Sequence, residues 1–115
     1  MPIVSLKVVP LGTGSTSLSS YVAKAVALLE RQGLKPRLTP DTTIISVADL
    51  AQVGPILKLI HDELHRAGVQ RILTIVMIDD RRDVPEREPE ALVASVEAKA
   101  KEERKKLERY STSIM

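Results

Sequence analysis

The clearest strand signal in this chain is Gln70-Arg71-Ile72-Leu73-Thr74-Ile75-Val76-Met77-Ile78. From Ile72 onward it is β-branched or aliphatic apart from one threonine. Gly68 lies just before it, and a block of mixed charge, Asp79–Asp83, follows. An apolar run of this length between a turn residue and a charged block predicts a β-strand. This strand ends a folded unit whose earlier elements follow from similar patterns.

A helix is predicted immediately before this strand. Asp49 is a residue type that caps helices, and Gly68 stands where a helix commonly ends. Gly54-Pro55 interrupts the pattern early, so we expect either a kink or a helix that restarts with Pro55 in its first turn. Apolar residues recur at helical spacing between these limits, namely Leu50, Val53, Leu57, Ile60 and Leu64.

The N-terminal half follows the same plan. Pro10 ends a first strand, and a Gly/Ser/Thr loop leads to a helix that Ser17 or Ser19 can cap and that Gly33 ends. Two further strands follow, separated by the turn Thr39-Pro40-Asp41. The predicted strands of this half are Ile3–Val9, Lys35–Leu38 and Thr42–Val47.

The predicted element order is βαββαβ followed by one terminal helix. This order favours an α+β fold of ferredoxin-like type, with a four-stranded antiparallel sheet and two helices on one face. We expect residues 1–83 to form this domain. Residues 84–115 are then a charged linker and a helix from Glu90 to about Tyr110, which packs on its own domain or on a neighbouring subunit.

Composition restricts the function. The chain has 115 residues, a net charge of +2, no cysteine, no Phe or Trp and only two tyrosines. Disulfides and thiolate metal sites are therefore excluded. The charge is too small to attract nucleic acid or an anionic membrane strongly, and no predicted strand carries an aromatic ring on which RNA bases could stack. The apolar runs are too short to span a membrane, and no signal peptide is recognisable, so a cytoplasmic location is expected.

The two faces of the sheet suggest a binding site. Val4, Leu6 and Val8 share one face of the first strand, and we expect that face to lie under the helices together with an aliphatic face of the fourth strand (Leu73, Ile75 and Met77). The opposite face would be partly polar, yet too apolar to be exposed to water over a whole sheet. A second copy of the chain would cover it, leaving a small-ligand pocket at the interface. Alternatively, the polar residues are only rim positions.

Three motifs give weaker evidence for a functional site. The loop Gly12–Ser17 precedes a helix but lacks the dinucleotide and P-loop patterns, so it is either a generic anion contact or a plain loop. His61 and His65 lie one helical turn apart without an evident third ligand, so a structural role is favoured over a metal site. Asp79 and Asp80 could act as a catalytic or magnesium-binding pair, but their neighbouring arginines favour salt-linked strand termination. We therefore expect no catalytic residues, no metal and no cofactor.

An ordered set of short motifs resembles the thiamine-binding protein family, from about Val4 to Asp83. The motifs are Val9-Pro10-Leu11-Gly12, Ser17-Leu18-Ser19-Ser20-Tyr21-Val22, Gly33-Leu34, Thr42-Thr43-Ile44, Leu59-Ile60-His61-Asp62-Glu63-Leu64-His65, and Arg71-Ile72 through to Asp83. The resemblance implies a ferredoxin-like fold, a dimer or dimer of dimers, and non-catalytic binding of thiamine or its hydroxymethylpyrimidine moiety. Members of the family usually follow the paired threonines with Ile-Glu-Gly, whereas this chain has Ile44-Ile45-Ser46.

Two functions follow as hypotheses. The first is an oligomeric, non-catalytic binder of a thiamine-like or hydroxymethylpyrimidine-like heterocycle. The second is a structural or regulatory homo-oligomer whose ligand pocket has degenerated, since the glutamate is replaced. Neither hypothesis involves nucleic acid or membrane. The ligand-binding residues predicted for the first are Ser5, Lys7, Thr43, Ser46 and Thr74.

Overall fold

The chain forms four strands, three helices and one 3-10 turn. A computed structural model describes the backbone of residues 1–84 and 88–114 and the side chains of residues 1–84 and 88–109. The predicted βαββαβ order with a terminal helix is confirmed. The elements are β1 (Ile3–Leu11), α1 (Ser19–Arg31), β2 (Arg37–Leu38), β3 (Thr43–Ser46), the 3-10 turn Leu50–Gln52, α2 (Val53–Arg66), β4 (Arg71–Asp79) and α3 (Pro89–Ile114).

The strands form one antiparallel sheet in the order β2-β3-β1-β4. β1 is central and pairs with β4 along its whole length, from Ile3 opposite Asp79 to Leu11 opposite Arg71. On its other side, β1 pairs with β3 from Ile3 opposite Ser46 to Leu6 opposite Thr43. With α1 and α2 on one face, this arrangement confirms the predicted ferredoxin-like α+β fold.

Both central helices end at a glycine with a positive φ. Gly33 has a φ of 80° and Gly68 a φ of 99°. Beyond each glycine the chain folds back, so that the amide of Leu34 donates to Leu29 and the amide of Val69 donates to Leu64, both at 3.1 Å. These are Schellman ends, in which the left-handed residue is usually glycine because it has no Cβ. They lead the chain from α1 toward β2 and from α2 into β4.

The N-terminal ends of the two helices differ. Asp49 caps the 3-10 turn, accepting a hydrogen bond from the amide of Ala51, and Gln52 completes a capping box. α2 then begins at Val53, so Pro55 lies in its first turn, as the restart alternative predicted. The expected cap of α1 by Ser17 or Ser19 is wrong. Leu18 occupies the cap position, and no side chain hydrogen-bonds there.

The core lies between one face of the sheet and helices α1 and α2. Leu29 and Ile60 are each about 1% exposed, and Val4 is fully buried. β1 contributes its alternate residues to this core, so the predicted burial of Val4, Leu6 and Val8 is confirmed, with Val8 at the margin. We call this sheet face the covered face and the opposite one the open face.

The predicted face of β4 is wrong. Leu73, Ile75 and Met77 lie on the open face with 53%, 52% and 69% of their surface exposed. The register explains the difference, because Val8 of the covered face is directly opposite Thr74 and Lys7 of the open face is opposite Ile75. Residues directly opposite one another share a face. Both faces of β4 are apolar, so alternation along β4 did not distinguish them.

The terminal helix α3 extends beyond the expected end near Tyr110 and reaches Ile114. Its first turn is tied to the domain by an ion pair between Glu90 and Arg37 of β2, and it packs beside β3. Farther along the helix, Val93, Val96 and Leu107 are exposed. Across the described ranges, none of the helices combines the length and hydropathy needed to cross a membrane.

Candidate functional site

A cleft of about 790 Å³ lies between α1 and the loop that joins β2 to β3. Helix α1 supplies one wall through Tyr21, Val22 and Ala25, and residues 38–43 supply the other. The floor is the covered face of β1, with Leu6 and Val8. Because most of this lining is aliphatic, the cleft provides the concave, mainly apolar surface that small ligands commonly occupy.

A few polar groups stand at the margin of this cleft. Lys7 Nζ donates to Asp41 Oδ1 at 2.7 Å, and both side chains remain substantially exposed. Thr43 also lines the cleft and is the one polar residue in the described part of the chain that is buried, with about 8% of its surface exposed. The cleft therefore combines an aliphatic interior with polar groups that include the Lys7–Asp41 ion pair, the hydroxyl of Thr43 and the ring of Tyr21.

The position of Asp41 depends on a short hydrogen-bonded turn. Thr39 Oγ1 donates to the carbonyl oxygen of Thr42 at 2.9 Å and accepts from the amides of Thr42 and Asp41 at 2.9 and 3.3 Å. A threonine hydroxyl that satisfies several backbone groups in this way holds a turn in one conformation. Asp41 is thereby held at the cleft, within reach of Lys7. Sequence reasoning identified the turn but missed Asp41 and Tyr21 as site residues.

The structure does not bring the five predicted ligand-binding residues onto one face. Lys7 and Thr43 both line the cleft, Thr43 from the covered face and Lys7 from the open face. Ser5 and Ser46 lie together on the open face, since Ser46 is opposite Ile3, two residues from Ser5. Thr74 lies on the covered face. The expectation of one shared semi-polar face is therefore wrong, because Thr43 and Thr74 point the other way; a binding role for each residue stays a prediction.

Ser46 is the one described side chain whose buried polar atom has no hydrogen-bond partner in the structure. Its Oγ is shielded from solvent, and Ser46 belongs to β3, the strand that α3 contacts. An unsatisfied buried hydroxyl costs free energy unless water or another molecule satisfies it. Ser46 therefore retains unused hydrogen-bonding capacity on the open face.

The two histidines of α2 serve structural contacts. His61 Nε2 and Thr74 Oγ1 are hydrogen-bonded at 2.6 Å, which ties α2 to β4. His65 Nδ1 donates to the carbonyl oxygen of Val69 at 2.6 Å, reinforcing the end of α2. Their rings lie 6.3 Å apart, edge to face. Within the described residues no group of three or more potential ligands could hold a metal ion.

The charged block after β4 is internally paired, as the salt-linked interpretation predicted. Arg81 donates to both carboxylate oxygens of Asp83, at 2.8 and 3.0 Å, and Arg82 donates to Asp80 at 3.0 Å. The hydrogen bond with Asp83 raises the pKa of Arg81, and the one with Asp80 raises the pKa of Arg82. These ion pairs terminate the strand, and Asp80 is already engaged by its neighbour.

The loop between β1 and α1 uses its hydroxyl groups internally. Thr13 Oγ1 donates to the carbonyl oxygen of Ser15 at 3.2 Å, and Ser15 Oγ accepts from the amide of Ser17 at 3.1 Å. Gly12 and Gly14 have positive φ values of 73° and 78°. The loop therefore agrees with the interpretation as a plain loop, whose hydroxyl groups form hydrogen bonds within the loop itself.

Comparison with known proteins agrees with this fold. The sequence profile of the thiamine-binding protein family matches residues 4–97. The chain belongs to the thiamine-binding protein family. Within it, a UPF0045 protein of Methanothermobacter thermautotrophicus is 41% identical over 83 residues, which cover 72% of this chain and 84% of the relative. The UPF0045 protein YqgV of Bacillus subtilis is 36% identical over 87 residues, covering 72% and 83%.

Solved structures of similar proteins share the architecture. A protein of Methanocaldococcus jannascii superimposes with a TM-score of 0.72 at 26% identity, over 83% of this chain and 94% of its own. A candidate thiamine biosynthesis/salvage protein of Thermotoga maritima superimposes with a TM-score of 0.68 at 20% identity, over 83% and 97%. The second comparison supports the fold alone. Membership in a family described by binding indicates a small-molecule binder.

Proposed function

We propose that this member of the thiamine-binding protein family binds a thiamine-like or hydroxymethylpyrimidine-like heterocycle, without catalysis, in the cleft between α1 and the β2–β3 loop. The observation that carries the proposal is the cleft itself, about 790 Å³ in volume and mainly aliphatic. A pocket of this kind gains affinity from apolar contact and specificity from a few polar groups. The proposal moves the ligand from the sheet interface, where sequence reasoning placed it, to the covered face.

The polar margin suits a cationic or amino-substituted ring. Asp41 offers a carboxylate that can accept from an aminopyrimidine or attract a thiazolium charge, and Lys7 holds it in place at 2.7 Å. Tyr21 provides one aromatic ring for contact with the heterocycle, and Thr43 provides a hydroxyl. In this proposal Asp41 supplies the negative charge that family members provide with the glutamate at the position of Ile45.

The same proposal includes assembly into a dimer or dimer of dimers in the cytoplasm. Leu73, Ile75 and Met77 leave an apolar patch on the open face, at least half exposed. Soluble monomers rarely expose contiguous apolar patches of this kind unless a partner covers them. A second copy of the chain is the partner proposed here, and Ser5, Lys7 and Ser46 would lie near that contact.

Ligand binding is tested by thermal denaturation and calorimetry with thiamine and with hydroxymethylpyrimidine. A ligand present at 100 times its Kd stabilises the folded chain by about 2.7 kcal/mol. Asp41→Asn should remove most of this stabilisation while leaving the ligand-free chain folded, because Asp41 is exposed and pairs only at the surface. Asp62→Asn is the matched control, since Asp62 also pairs with a lysine, at 2.6 Å, but lies outside the cleft.

The proposal is contradicted if neither compound stabilises the wild type at millimolar concentration. An equal loss in Asp41→Asn and Asp62→Asn would also contradict the assigned site. A loss in Asp41→Asn alone, with the ligand-free melting temperature unchanged, supports it.

One observation favours the second candidate, a structural or regulatory homo-oligomer with a degenerate pocket. Ile45 is about 1% exposed and is part of the core, where family members usually carry a glutamate. A core isoleucine has no group with which to recognise a charged ring. This candidate predicts that the chain assembles normally and that no thiamine-related compound changes its stability, an outcome that the same titrations detect.

A further inference from the structure

Helix α3 continues beyond the part of the chain that the family profile matches. The match ends at residue 97, whereas α3 runs from Pro89 to Ile114. An ion pair between Glu90 and Arg37 holds the first turn of α3 against the domain. Every side chain from residue 101 to residue 109 is exposed. We call residues 98–109 the distal segment, which the family profile does not include and which the domain leaves largely exposed.

The distal segment holds the positive charge of the chain. It contains six lysines and arginines and three glutamates, so its net charge is +3, whereas the whole chain has a net charge of +2. The rest of the chain is therefore close to neutral. A local surplus of one sign attracts an oppositely charged surface at short range, within about one Debye length.

Apolar side chains form one stripe along α3. Val93, Val96, Ala100 and Leu107 follow one another at spacings of three, four and seven residues, which are the a and d positions of a heptad repeat. Val93 is 55% exposed, and Val96 and Leu107 are each 66% exposed. Glu103 occupies the remaining d position between Ala100 and Leu107. The described part of the chain therefore leaves most of a coiled-coil seam uncovered.

Cations predominate beside this stripe. In the same heptad, Lys99 and Lys106 are g positions, and Glu97 and Arg104 are e positions. Residues at e and g border the seam of a helix pair and determine the choice of partner through their charges. Three of these four residues are positive, so the complementary helix carries acidic residues at its own flanking positions.

A second copy of α3 fits this surface poorly. In a parallel pair Glu103 faces Glu103, and Lys99 lies beside Arg104 of the other helix, so like charges meet in the seam and next to it. In an antiparallel pair that aligns the two stripes, Lys99 faces Lys106. That repulsion offsets the attraction of Glu97 for Arg104. The charges therefore select against self-pairing and favour a different, acidic helix.

We propose that α3 is the docking helix for a different protein, which presents an amphipathic helix with aliphatic a and d positions, acidic flanking residues and one cationic residue opposite Glu103. Burial of the stripe supplies affinity, and the flanking ion pairs supply specificity and a fast association rate. The cationic residue is needed because Glu103 would otherwise lose its hydration without gaining a partner. A single charged seam position also fixes the register of the two helices.

Other acidic surfaces fit less well. Anionic membranes bind amphipathic helices whose apolar face is rich in Trp, Phe and Leu, whereas this stripe has two valines, one alanine and one leucine. Nucleic acids bind cations that are free to neutralise phosphates. Here glutamates lie among the cations, and Lys106 Nζ is 3.3 Å from Glu103. No described residue of α3 lines the cleft, so the proposal does not depend on ligand binding there.

Two designed peptides of three heptads serve as probes. Both have leucine at the a and d positions, except for one lysine at the central d position. The acidic probe has glutamate at every e and g position, and the basic probe has lysine there. Fluorescence anisotropy with the full chain should give a Kd for the acidic probe at least about tenfold lower than for the basic probe at about 0.1 M salt. At about 1 M salt the difference should fall below about threefold, because the flanking charges are screened.

A charge placed in the stripe should weaken binding of the acidic probe. Val96→Asp should raise its Kd at least about tenfold. Ala98→Asp is the matched control, because it adds the same charge at an exposed f position outside the seam, and it should raise the Kd less than about threefold. Both positions are exposed, so both variants should keep the melting temperature of the wild type.

Reversal of the flanking charges tests specificity separately. Lys99→Glu combined with Lys106→Glu should make the chain prefer the basic probe. Lys101→Glu combined with Lys105→Glu changes the net charge equally at b and f positions and should keep the preference for the acidic probe.

Several results would overturn the proposal. They include equal affinity for the two probes, no binding of either, and equal losses in Val96→Asp and Ala98→Asp. Self-association that Val96→Asp abolishes would assign the stripe to a second copy of the chain instead. Tighter binding to vesicles of mixed phosphatidylcholine and phosphatidylserine, or to single-stranded oligouridine RNA, than to the acidic probe would assign it to a membrane or to a nucleic acid.

Discussion

The two faces of the sheet are both apolar, yet they are used differently. On the covered face Ile45 is about 1% exposed beneath the helices, whereas on the open face Ile75 is 52% exposed. The same residue type on a strand is therefore buried at one position and exposed at another. What separates the two positions is the location of α1 and α2. The covered face stabilises the folded chain, whereas the open face is where we propose that a second copy of the chain binds.

The largest effect should come from removing apolar volume on the covered face. Ile45→Ala should reduce the free energy of unfolding by about 2–5 kcal/mol, since it creates a cavity in a packed core. Ile75→Ala on the open face should cost under about 1 kcal/mol in the dissociated chain. Urea denaturation at several protein concentrations measures both. If the loss of unfolding free energy in Ile75→Ala depends on protein concentration, Ile75 lies in an assembly interface. If Ile45→Ala and Ile75→Ala lose the same free energy at all concentrations, the difference between the two faces is contradicted.

The hydrogen bond between the helices and the covered face should have the next effect. Thr74→Val leaves the part-buried His61 without its partner at 2.6 Å and should cost about 1–2 kcal/mol. His61→Leu combined with Thr74→Val should cost less than the sum of the single changes, because both partners are then apolar. A double-mutant cycle by thermal denaturation checks this. Strict additivity would mean that the contact does not couple α2 to β4.

A methyl group added at Gly68, where the chain turns from α2 into β4, should lower the free energy of unfolding. Gly68 has a φ of 99°, so Gly68→Ala should cost about 1 kcal/mol. Gly54 lies inside α2 and a Cβ there would meet nothing within 4 Å. Gly54→Ala should therefore change the free energy of unfolding by less than about 0.5 kcal/mol, because the gain in helix propensity is opposed by the steric restriction on a residue that precedes proline. A clearly larger loss in Gly68→Ala is the expected outcome in equilibrium unfolding, and equal losses in the two variants would contradict it.

The smallest effect should be on the pH dependence of the free energy of unfolding. It arises from the exposed Lys58–Asp62 pair on α2. The hydrogen bond from Lys58 is the main cause that lowers the pKa of Asp62 below its ordinary value of 3.8. A depressed carboxyl pKa stabilises the folded chain above pH 3.8, and this stabilisation is lost as the pH falls through the lowered value. Asp62→Asn should therefore flatten the acid side of the stability profile slightly. An unchanged profile would show that the pair contributes nothing measurable.

The fold was largely predictable because its signals are local. Gly33 and Gly68 end helices through their own backbone freedom, and Pro55 restricts the start of α2 through its ring. The cap of α1 was not predictable in the same way, since several serines precede that helix and none of them makes the capping contact. The candidate site was only partly predictable. Lys7 and Thr43 were identified, but Asp41 reaches Lys7 across 34 residues of sequence.

The amino-acid sequence by itself determined the order of the strands and helices, the glycine ends of α1 and α2, and the paired charges after β4. Each of these depends on residues within a few positions of one another. Only the tertiary structure decided which face of β4 is covered and which residues meet at the cleft. Ile72, Thr74 and Val76 are as apolar a set as Leu73, Ile75 and Met77 except for one hydroxyl. The register of β4 with β1, which is a long-range pairing, therefore determines which of the two sets is buried.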